Sequence, residues 1–281
     1  MHLFLCINDR DTEVLLVKNI INTCLLIVIS GITGIITSPA HAEEVSAKEL
    51  AQANNPLASM KTFNLHNYYT PTLTGLPDET ANTFWLRYAQ PVGKFLVRAS
   101  LPFPTQPVAG QVDSDSGMGD LNAFAAYLAV SKPEMTFGIG PIITAPTATD
   151  DALGTGKWQG GVAAVLFGVP SPQFQYGGLV TWQGSFAGDD DRDDTSALAV
   201  QPFGIWQMGS GFYLRSTGIW AFNIETGDYN VPFGLGIGKV VKVGKTVFNI
   251  FAEPQYTILH NGIGQPEVQF FIGLNTQFTS Q

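Results

Sequence analysis

Charged residues are scarce in this chain of 281 residues, since Asp, Glu, Lys and Arg make up only 13% of it. A soluble globular domain carries about 25% of them. So low a content usually indicates membrane-spanning helices, each of which needs about 20 consecutive apolar residues. Only one run approaches that length, from Ile20 to Thr37. A bundle of membrane-spanning helices is therefore excluded.

That single apolar run has the features of a secretory signal peptide. Lys18 precedes it, and Ala40-His41-Ala42 ends it with the small residues that a signal peptidase accepts. We therefore expect cleavage after Ala42, with residues 1–42 forming an N-terminal extension and signal peptide. A membrane anchor is the alternative, but Ser30 and two glycines interrupt the run.

Cysteine is almost absent. Cys6 and Cys24 both precede the expected cleavage site, so the mature chain has no disulfide, no thiol nucleophile and no thiolate metal site. Cleavage leaves 12 basic and 20 acidic residues, a net charge of −8. Because nucleic-acid binding depends on basic residues that neutralise phosphates, this balance argues against a nucleic-acid partner.

Helical periodicity is missing as well. Apolar and polar residues alternate with a period of two, and no stretch keeps apolar residues at helical spacing for three turns. Near the C-terminus, Val268, Phe270 and Ile272 fall on one face of a strand. Gln269 and Asn275 fall on the other face. A strand with one apolar and one polar face fits a wall between lipid and water.

About twelve such segments follow one another, an even number as in single-chain bacterial barrels. Short and long connections alternate between them, as periplasmic turns and extracellular loops do. We predict an all-β fold, a closed antiparallel transmembrane β-barrel of about twelve strands over residues 62–281, after a periplasmic segment over 43–61. The predicted strands are 62–70, 82–92, 94–103, 118–130, 135–145, 158–169, 174–186, 196–208, 211–223, 230–241, 246–258 and 267–278.

Aromatic residues concentrate near the ends of these segments. In membrane barrels such residues form girdles at the level of the lipid headgroups. Ordinary sheet cores also favour aromatic residues, which is the alternative interpretation. The residues are Tyr68, Tyr69, Phe84, Trp85, Trp158, Trp182, Phe186, Trp220, Phe222 and Tyr256.

Alternation also predicts which side chains face the interior. If Phe84, Phe95 and Phe248 face lipid, polar side chains of the opposite parity face the lumen, because a charge on the lipid face costs about 2 to 4 kcal/mol at mid-bilayer. Two interpretations remain open: a polar, partly cationic passage for small solutes, or a plug in which Glu253 and the arginines neutralise one another in a narrow barrel. The lumen candidates are Arg87, Arg98, Thr181, Gln183, Arg215, Asn249, Glu253, Gln255, Gln269 and Asn275.

One predicted loop concentrates carboxylates, which are the oxygen ligands that hard divalent cations prefer. Asp189, Asp191 and Asp193 are spaced like the opening of an EF-hand loop. Asp194 stands where that loop needs glycine, so the motif fails. We regard Asp189, Asp191, Asp193 and Asp194 as weak candidate metal ligands, with a solvated acidic loop as the alternative.

Catalytic motifs are lacking. His66 and His260 are the histidines that remain after cleavage, and no G-x-S-x-G nucleophile pattern accompanies them. The stretch Gly154-Thr155-Gly156-Lys157 lacks the first glycine of a phosphate loop and is followed by Trp158 rather than Ser or Thr. We therefore predict that the chain is not an enzyme and needs no cofactor.

Nine short stretches give the mature chain a distinctive signature. They are Asn55-Pro56-Leu57-Ala58-Ser59, Phe84-Trp85-Leu86-Arg87-Tyr88-Ala89-Gln90-Pro91, Gly119-Asp120-Leu121-Asn122-Ala123-Phe124, Ala145-Pro146-Thr147-Ala148-Thr149-Asp150-Asp151, Gly154-Thr155-Gly156-Lys157-Trp158, Ser185-Phe186-Ala187-Gly188-Asp189, Gln201-Pro202-Phe203, Val231-Pro232-Phe233-Gly234-Leu235 and Glu253-Pro254-Gln255-Tyr256. This signature resembles the bacterial transporter-like outer-membrane proteins associated with meta-pathway phenol degradation, some of which carry the label neuromedin U. The resemblance covers nearly all of the mature chain and is specific for the family, not for a substrate.

The resemblance implies an outer-membrane barrel for the uptake of small, often aromatic or hydrophobic compounds. We expect passive transport through a polar lumen in the bacterial outer membrane. The expected partners are outer-membrane lipid, lipopolysaccharide, the barrel-assembly machinery and a small-molecule solute. A structural or surface-interaction barrel with a plugged lumen is the alternative, and an outer-membrane hydrolase is a third hypothesis.

Overall fold

The computed structural model describes residues 47–57, 60–108 and 114–278. The predicted signal peptide and its cleavage site at Ala42 lie outside these residues. Within the described part, no helix is long and apolar enough to cross a membrane.

The first described element is helix α1 (Ala47–Asn54), and a short 3-10 helix spans Asp151–Leu153. The strands are β1 (Lys61–Leu73), β2 (Ala81–Val92), β3 (Phe95–Pro107), β4 (Ser114–Ser116), β5 (Leu121–Ser131), β6 (Met135–Ala145), β7 (Lys157–Ser171), β8 (Phe174–Gly188), β9 (Ser196–Gly209), β10 (Phe212–Ser216), β11 (Trp220–Asn223), β12 (Tyr229–Gly234), β13 (Gly236–Val243), β14 (Thr246–Asn261) and β15 (Pro266–Phe278).

These strands form one antiparallel sheet that closes on itself. The first strand, β1, pairs with the last strand, β15, from Lys61 opposite Phe278 to Leu73 opposite Pro266. Closure leaves the sheet without an open edge. A wall surrounded by lipid needs this closure, because lipid cannot form hydrogen bonds with free backbone N–H and C=O groups. The predicted closed antiparallel β-barrel is confirmed.

The fifteen strand elements form twelve wall strands, because two wall strands are each interrupted and one short element lies outside the wall. One wall strand consists of β10 and β11, which are interrupted at residues 217–219. The next consists of β12 and β13, which are interrupted at Leu235. The short element, β4, pairs only with the end of β3 in a long connection.

Tight turns lie at one end of the barrel and long connections at the other, as predicted. The tight turns join β2 to β3, β5 to β6, β7 to β8, β9 to β10 and β13 to β14. Gly93 and Gly244 adopt φ of 60° and 57° in two of them, a backbone conformation that favours glycine. The end with the tight turns is the periplasmic end in barrels of this class.

Large apolar side chains cover the outside of the wall. Trp158, Trp182 and Trp206 are 41%, 44% and 54% exposed. The surface of a soluble protein rarely exposes so many large apolar side chains side by side. Tyr68 and Trp85 depart from the predicted girdles, because both pack inside the barrel against an apolar cluster. Tyr68 precedes Tyr69, and Trp85 follows Phe84. Because consecutive strand residues point to opposite faces of the sheet, only one residue of each pair can face the lipid.

Two glycines on the inner face make room for large rings. Phe251 on β14 lies opposite Gly238 on one side and Gly273 on the other. The ring of Phe251 lies over Gly273, and the ring of Tyr213 lies over Gly238, where a Cβ atom would overlap them. The inner aromatic cluster therefore depends on these glycines.

Adding a methyl group at either glycine should destabilise the barrel. We expect Gly238→Ala and Gly273→Ala to lower the free energy of unfolding by about 1 to 3 kcal/mol, the usual cost of overpacking. The measurement is urea unfolding of purified protein in detergent. The matched control is Gly178→Ala, whose Cβ would lie an ordinary 3.5 Å from the Gln201 carbonyl oxygen. Equal unfolding midpoints for all three variants would contradict the packing argument.

Candidate functional site

The ten residues assigned to the lumen by alternation lie on the inner face of the wall. Asn249, Glu253 and Gln255 alternate along β14 and are only 1%, 1% and 3% exposed. Gln255 lies directly opposite Gln269 on β15. Four of the ten line one central cavity: Arg87, Arg98, Arg215 and Asn275.

Thr181 and Gln183 lie on the inner face of β8, outside the lining of that cavity. Thr181 lies opposite Ala163, which is fully buried. The Oε1 atom of Gln183 accepts a hydrogen bond of 3.0 Å from the Thr144 hydroxyl. Gln183 is therefore part of a separate polar group on the inner wall, together with Thr144 and Asn122.

The N-terminal segment, residues 47–57, lies inside the barrel. The Nδ2 atom of Asn249 donates to the Ala53 carbonyl at 3.0 Å and to Oδ1 of Asn54 at 2.9 Å. Gln277 donates from Nε2 to the Ala53 carbonyl at 3.2 Å. Leu50 packs with Ala53 against the inner faces of the nearby strands. Side chains of the wall therefore hold the end of α1 by its carbonyl groups, which have no partners within the helix.

The same segment reaches the opposite wall. Leu57 is 2% exposed and packs with Leu96, Phe124 and Val165, which lie on β3, β5 and β7. The segment therefore crosses the bore from β14 and β15 to the other side. The sequence predicted a periplasmic segment here, whereas residues 47–57 lie inside the barrel. Leu50 and Ala53 are spaced as on one face of a helix, and this apolar face is the signal in the sequence for a packing partner.

The segment separates two cavities. The central cavity has a volume of about 160 Å³ and is bounded by Ala53, Asn54 and Asn55. The second cavity, of about 780 Å³, lies at the end with the tight turns and is lined by Leu57 and Asn55 among others. Asn55 lines both cavities, so among the described residues the N-terminal segment separates them at this point.

One wall of the central cavity is cationic. Nη1 of Arg87 lies 2.6 Å from Nδ1 of His66, and Nε2 of His66 lies 2.7 Å from Oδ1 of Asn275. Because a guanidinium group can only donate, Nδ1 accepts and Nε2 carries the ring proton. His66 is therefore neutral in this arrangement and leaves the charge of Arg87 uncompensated.

Arg87 and Arg98 both stack on aromatic rings. The guanidinium carbon of Arg87 lies 4.5 Å from the ring centre of Trp85, and that of Arg98 lies 4.4 Å from the ring centre of Phe124. Within the part of the chain that the structure describes, neither arginine forms an ion pair with a carboxylate. Cation–π contacts stabilise them without neutralising their charge.

Arg215, in contrast, is fully paired with Glu253. Nε of Arg215 donates to the Glu253 carboxylate at 2.8 Å. The carboxylate also accepts from the backbone N–H of Thr217 at 2.8 Å and from the Thr217 hydroxyl at 2.7 Å. Thr217 lies where the wall strand is interrupted, so Glu253 provides the bond that the sheet does not.

The acidic loop shows no arrangement for a metal ion. Across the described residues, no group of three or more histidine, cysteine or acidic side chains could hold one. Asp189 accepts from the Asp191 backbone N–H at 3.0 Å. Asp194 lies 3.5 Å from Nζ of Lys157 and accepts from the Ser185 hydroxyl. These contacts attach the loop to the barrel wall. They do not bring the four candidate ligands together in one site.

Comparisons with known proteins show the fold. No family model and no curated protein matches the chain. The structure is similar to the COG4313 outer membrane channel from Pseudomonas putida F1, with a TM-score of 0.57 and 14% sequence identity over 79% of this chain and 97% of that one. It is also similar to the NanC porin, with a TM-score of 0.51 and 7% identity over 78% and 100% of the two chains. With the apolar outer surface described above, this fold makes the chain a bacterial outer-membrane β-barrel.

Removing the carboxylate of Glu253 should leave a buried cation without a partner. We expect Glu253→Ala to lower the free energy of unfolding by about 3 to 5 kcal/mol. The double variant Arg215→Leu/Glu253→Leu removes both charges, so its free energy of unfolding should fall much less. Urea unfolding in detergent measures both. Asp151→Ala, which breaks the exposed pair with Arg192, is the control and should have little effect. A single variant as stable as the double variant would contradict the pairing.

Proposed function

We propose that this outer-membrane barrel admits small solutes passively through its lumen, and that aromatic or hydrophobic compounds are among them. The observation that carries this proposal is the pair of cavities on either side of residues 47–57, with Asn55 lining both. A local displacement of this segment would join the two cavities. The similar fold of an outer membrane channel and a porin supports a channel rather than another barrel function.

The lining of the central cavity supports a solute that is partly apolar. Leu179 on β8 and Phe203 and Ile205 on β9 contribute apolar surface to it. The arginines Arg87 and Arg98 contribute charge from the other side. A pocket with an apolar lining and a few placed polar groups is typical of sites for small organic molecules. The proposed solutes are therefore small compounds with an apolar part and a polar group.

The N-terminal segment is proposed to limit the rate of passage. Its attachment consists of a few hydrogen bonds from Asn249 and Gln277 and the apolar contacts of Leu50, Ala53 and Leu57. A contact set of this size is small beside the hydrogen-bonded wall, so the segment is the element that can move while the barrel stays closed.

A second candidate function is a structural or surface-interaction barrel with a plugged lumen. The crossing of the bore by residues 47–57 is the observation that favours it. In that case the long connections at the cell surface would carry the function, with lipid and lipopolysaccharide as partners. The two candidates differ in one measurable property, the flux of solutes through the purified protein.

Deleting residues 47–57 should increase that flux severalfold. The measurement is liposome swelling with a neutral pentose and with phenylalanine, neither of which crosses lipid readily. Protein that migrates faster unboiled than boiled on a denaturing gel shows that the deleted form keeps its barrel. The control is the outward-facing substitution Gly178→Ala, which should leave the flux of the full chain unchanged.

Three outcomes decide between the candidates. Flux through the full chain that rises on deletion supports the channel and the limiting role of the segment. Flux that is equal in both proteins contradicts the limiting role. No flux through either protein contradicts the channel and favours the plugged barrel.

A further inference from the structure

We propose that Arg87 and Arg98 form a binding site for the carboxylate of a single-ring aromatic acid, with the ring against the apolar wall opposite. The inference deepens the proposed function by naming a class of solute. It rests on that function only for the role of the site in uptake, because binding itself can be measured without transport.

Arg87 and Arg98 give one side of the central cavity a positive charge. They lie on the inner faces of the adjacent strands β2 and β3, where Arg98 is opposite Ala89 in the register. The carboxylate of Glu253 is occupied by Arg215, Thr217 and Gln255. No carboxylate of the described residues pairs with either arginine. Two buried guanidinium groups in this state are costly, and an anion between them removes that cost.

The hydrogen bonding of the two arginines is incomplete. The Nε atoms of Arg87 and Arg98 are buried and have no hydrogen-bond partner among the described residues. Both residues line the central cavity. Buried polar atoms are paired in the great majority of cases. Two unpaired N–H donors beside one cavity therefore indicate a place for an anionic ligand group.

The donors of the two arginines have the geometry that a carboxylate needs. A guanidinium group is planar, and its parallel N–H donors match the two oxygens of a carboxylate. Arg87 is held in place by His66 and Trp85, and Arg98 by Phe124. Stacked arginines lose little freedom when they bind a ligand. The site is thus prepared for a carboxylate before the ligand arrives.

The rest of the cavity has an apolar side and a limited size. Leu179, Phe203 and Ile205 line it from β8 and β9. The volume of the cavity is about 160 Å³. An apolar cavity of about 150 Å³ is large enough for benzene. The cavity therefore has room for one aromatic ring.

Calorimetry of the purified full chain in detergent tests the site with three ligands. Benzoate carries the ring and the carboxylate, benzyl alcohol carries the ring without the charge, and acetate carries the charge without the ring. We expect benzoate to bind at least tenfold more tightly than either of the others. Benzoate affinity equal to that of benzyl alcohol would overturn the carboxylate site. Equal affinity for acetate and benzoate would overturn the assignment of the ring to the apolar wall.

Two variants locate the binding. Arg87→Gln and Arg98→Gln should each lower benzoate affinity roughly tenfold or more, because each removes a charged hydrogen bond. Neither should change the affinity for benzyl alcohol. Lys94→Gln is the control, since it removes one positive charge from an exposed turn. Unchanged benzoate affinity in both arginine variants would overturn the proposal.

The outcomes separate the site from the proposed function. Benzoate binding with these properties, together with no solute flux in the swelling assay, would leave the site in place and contradict the channel. If the gel shows that the arginine variants do not fold into a barrel, the affinities of the unchanged protein for the three ligands still test the carboxylate site.

Discussion

The structure depends on one constraint, that backbone N–H and C=O groups in lipid must bond to one another because no water is present. A chain without membrane-spanning helices meets this constraint only as a closed ring of strands. The pairing of β1 with β15 completes that ring. Once the ring is closed, alternation along each strand sends apolar side chains to the lipid and leaves the polar ones inside. The polar interior, and with it the candidate site, is a consequence of the membrane location.

Inside the ring, charge is distributed unevenly. On the β10–β14 side, Glu253 neutralises Arg215 and also satisfies the backbone where a wall strand is interrupted. On the β1–β3 side, Arg87 and Arg98 are held by rings and a neutral histidine, which leave their charge in place. The N-terminal segment closes this region from the side of the tight turns. Inside the barrel, Glu253 therefore neutralises Arg215, whereas Arg87 and Arg98 pair with no carboxylate of the described residues.

Much of this fold could be predicted from the sequence, because strand alternation and turn length are local properties. The twelve strands and the inward direction of Arg87 and Glu253 follow from parity, and the turns follow from the lengths of the connections. Tyr68 and Trp85 lie outside the predicted girdles because parity, and not distance from the strand end, decides which face a side chain takes. The entry of residues 47–57 into the bore cannot be predicted in this way, since it depends on wall residues such as Asn249 and Gln277 that are distant in sequence. The unpaired Nε atoms of Arg87 and Arg98 likewise become visible only when the side chains of the described strands are placed together.

The inward and outward faces of the wall can be tested most directly with tryptophan fluorescence. Trp182 lies on the lipid side of β8 and is 44% exposed, whereas Trp85 packs inside the barrel. In variants that keep only one of these two tryptophans, reconstituted into lipids with brominated acyl chains, quenching reports contact with lipid. The account predicts strong quenching of Trp182 and little or none of Trp85. Equal quenching of both, or quenching of neither, would contradict a closed barrel with this face toward the membrane.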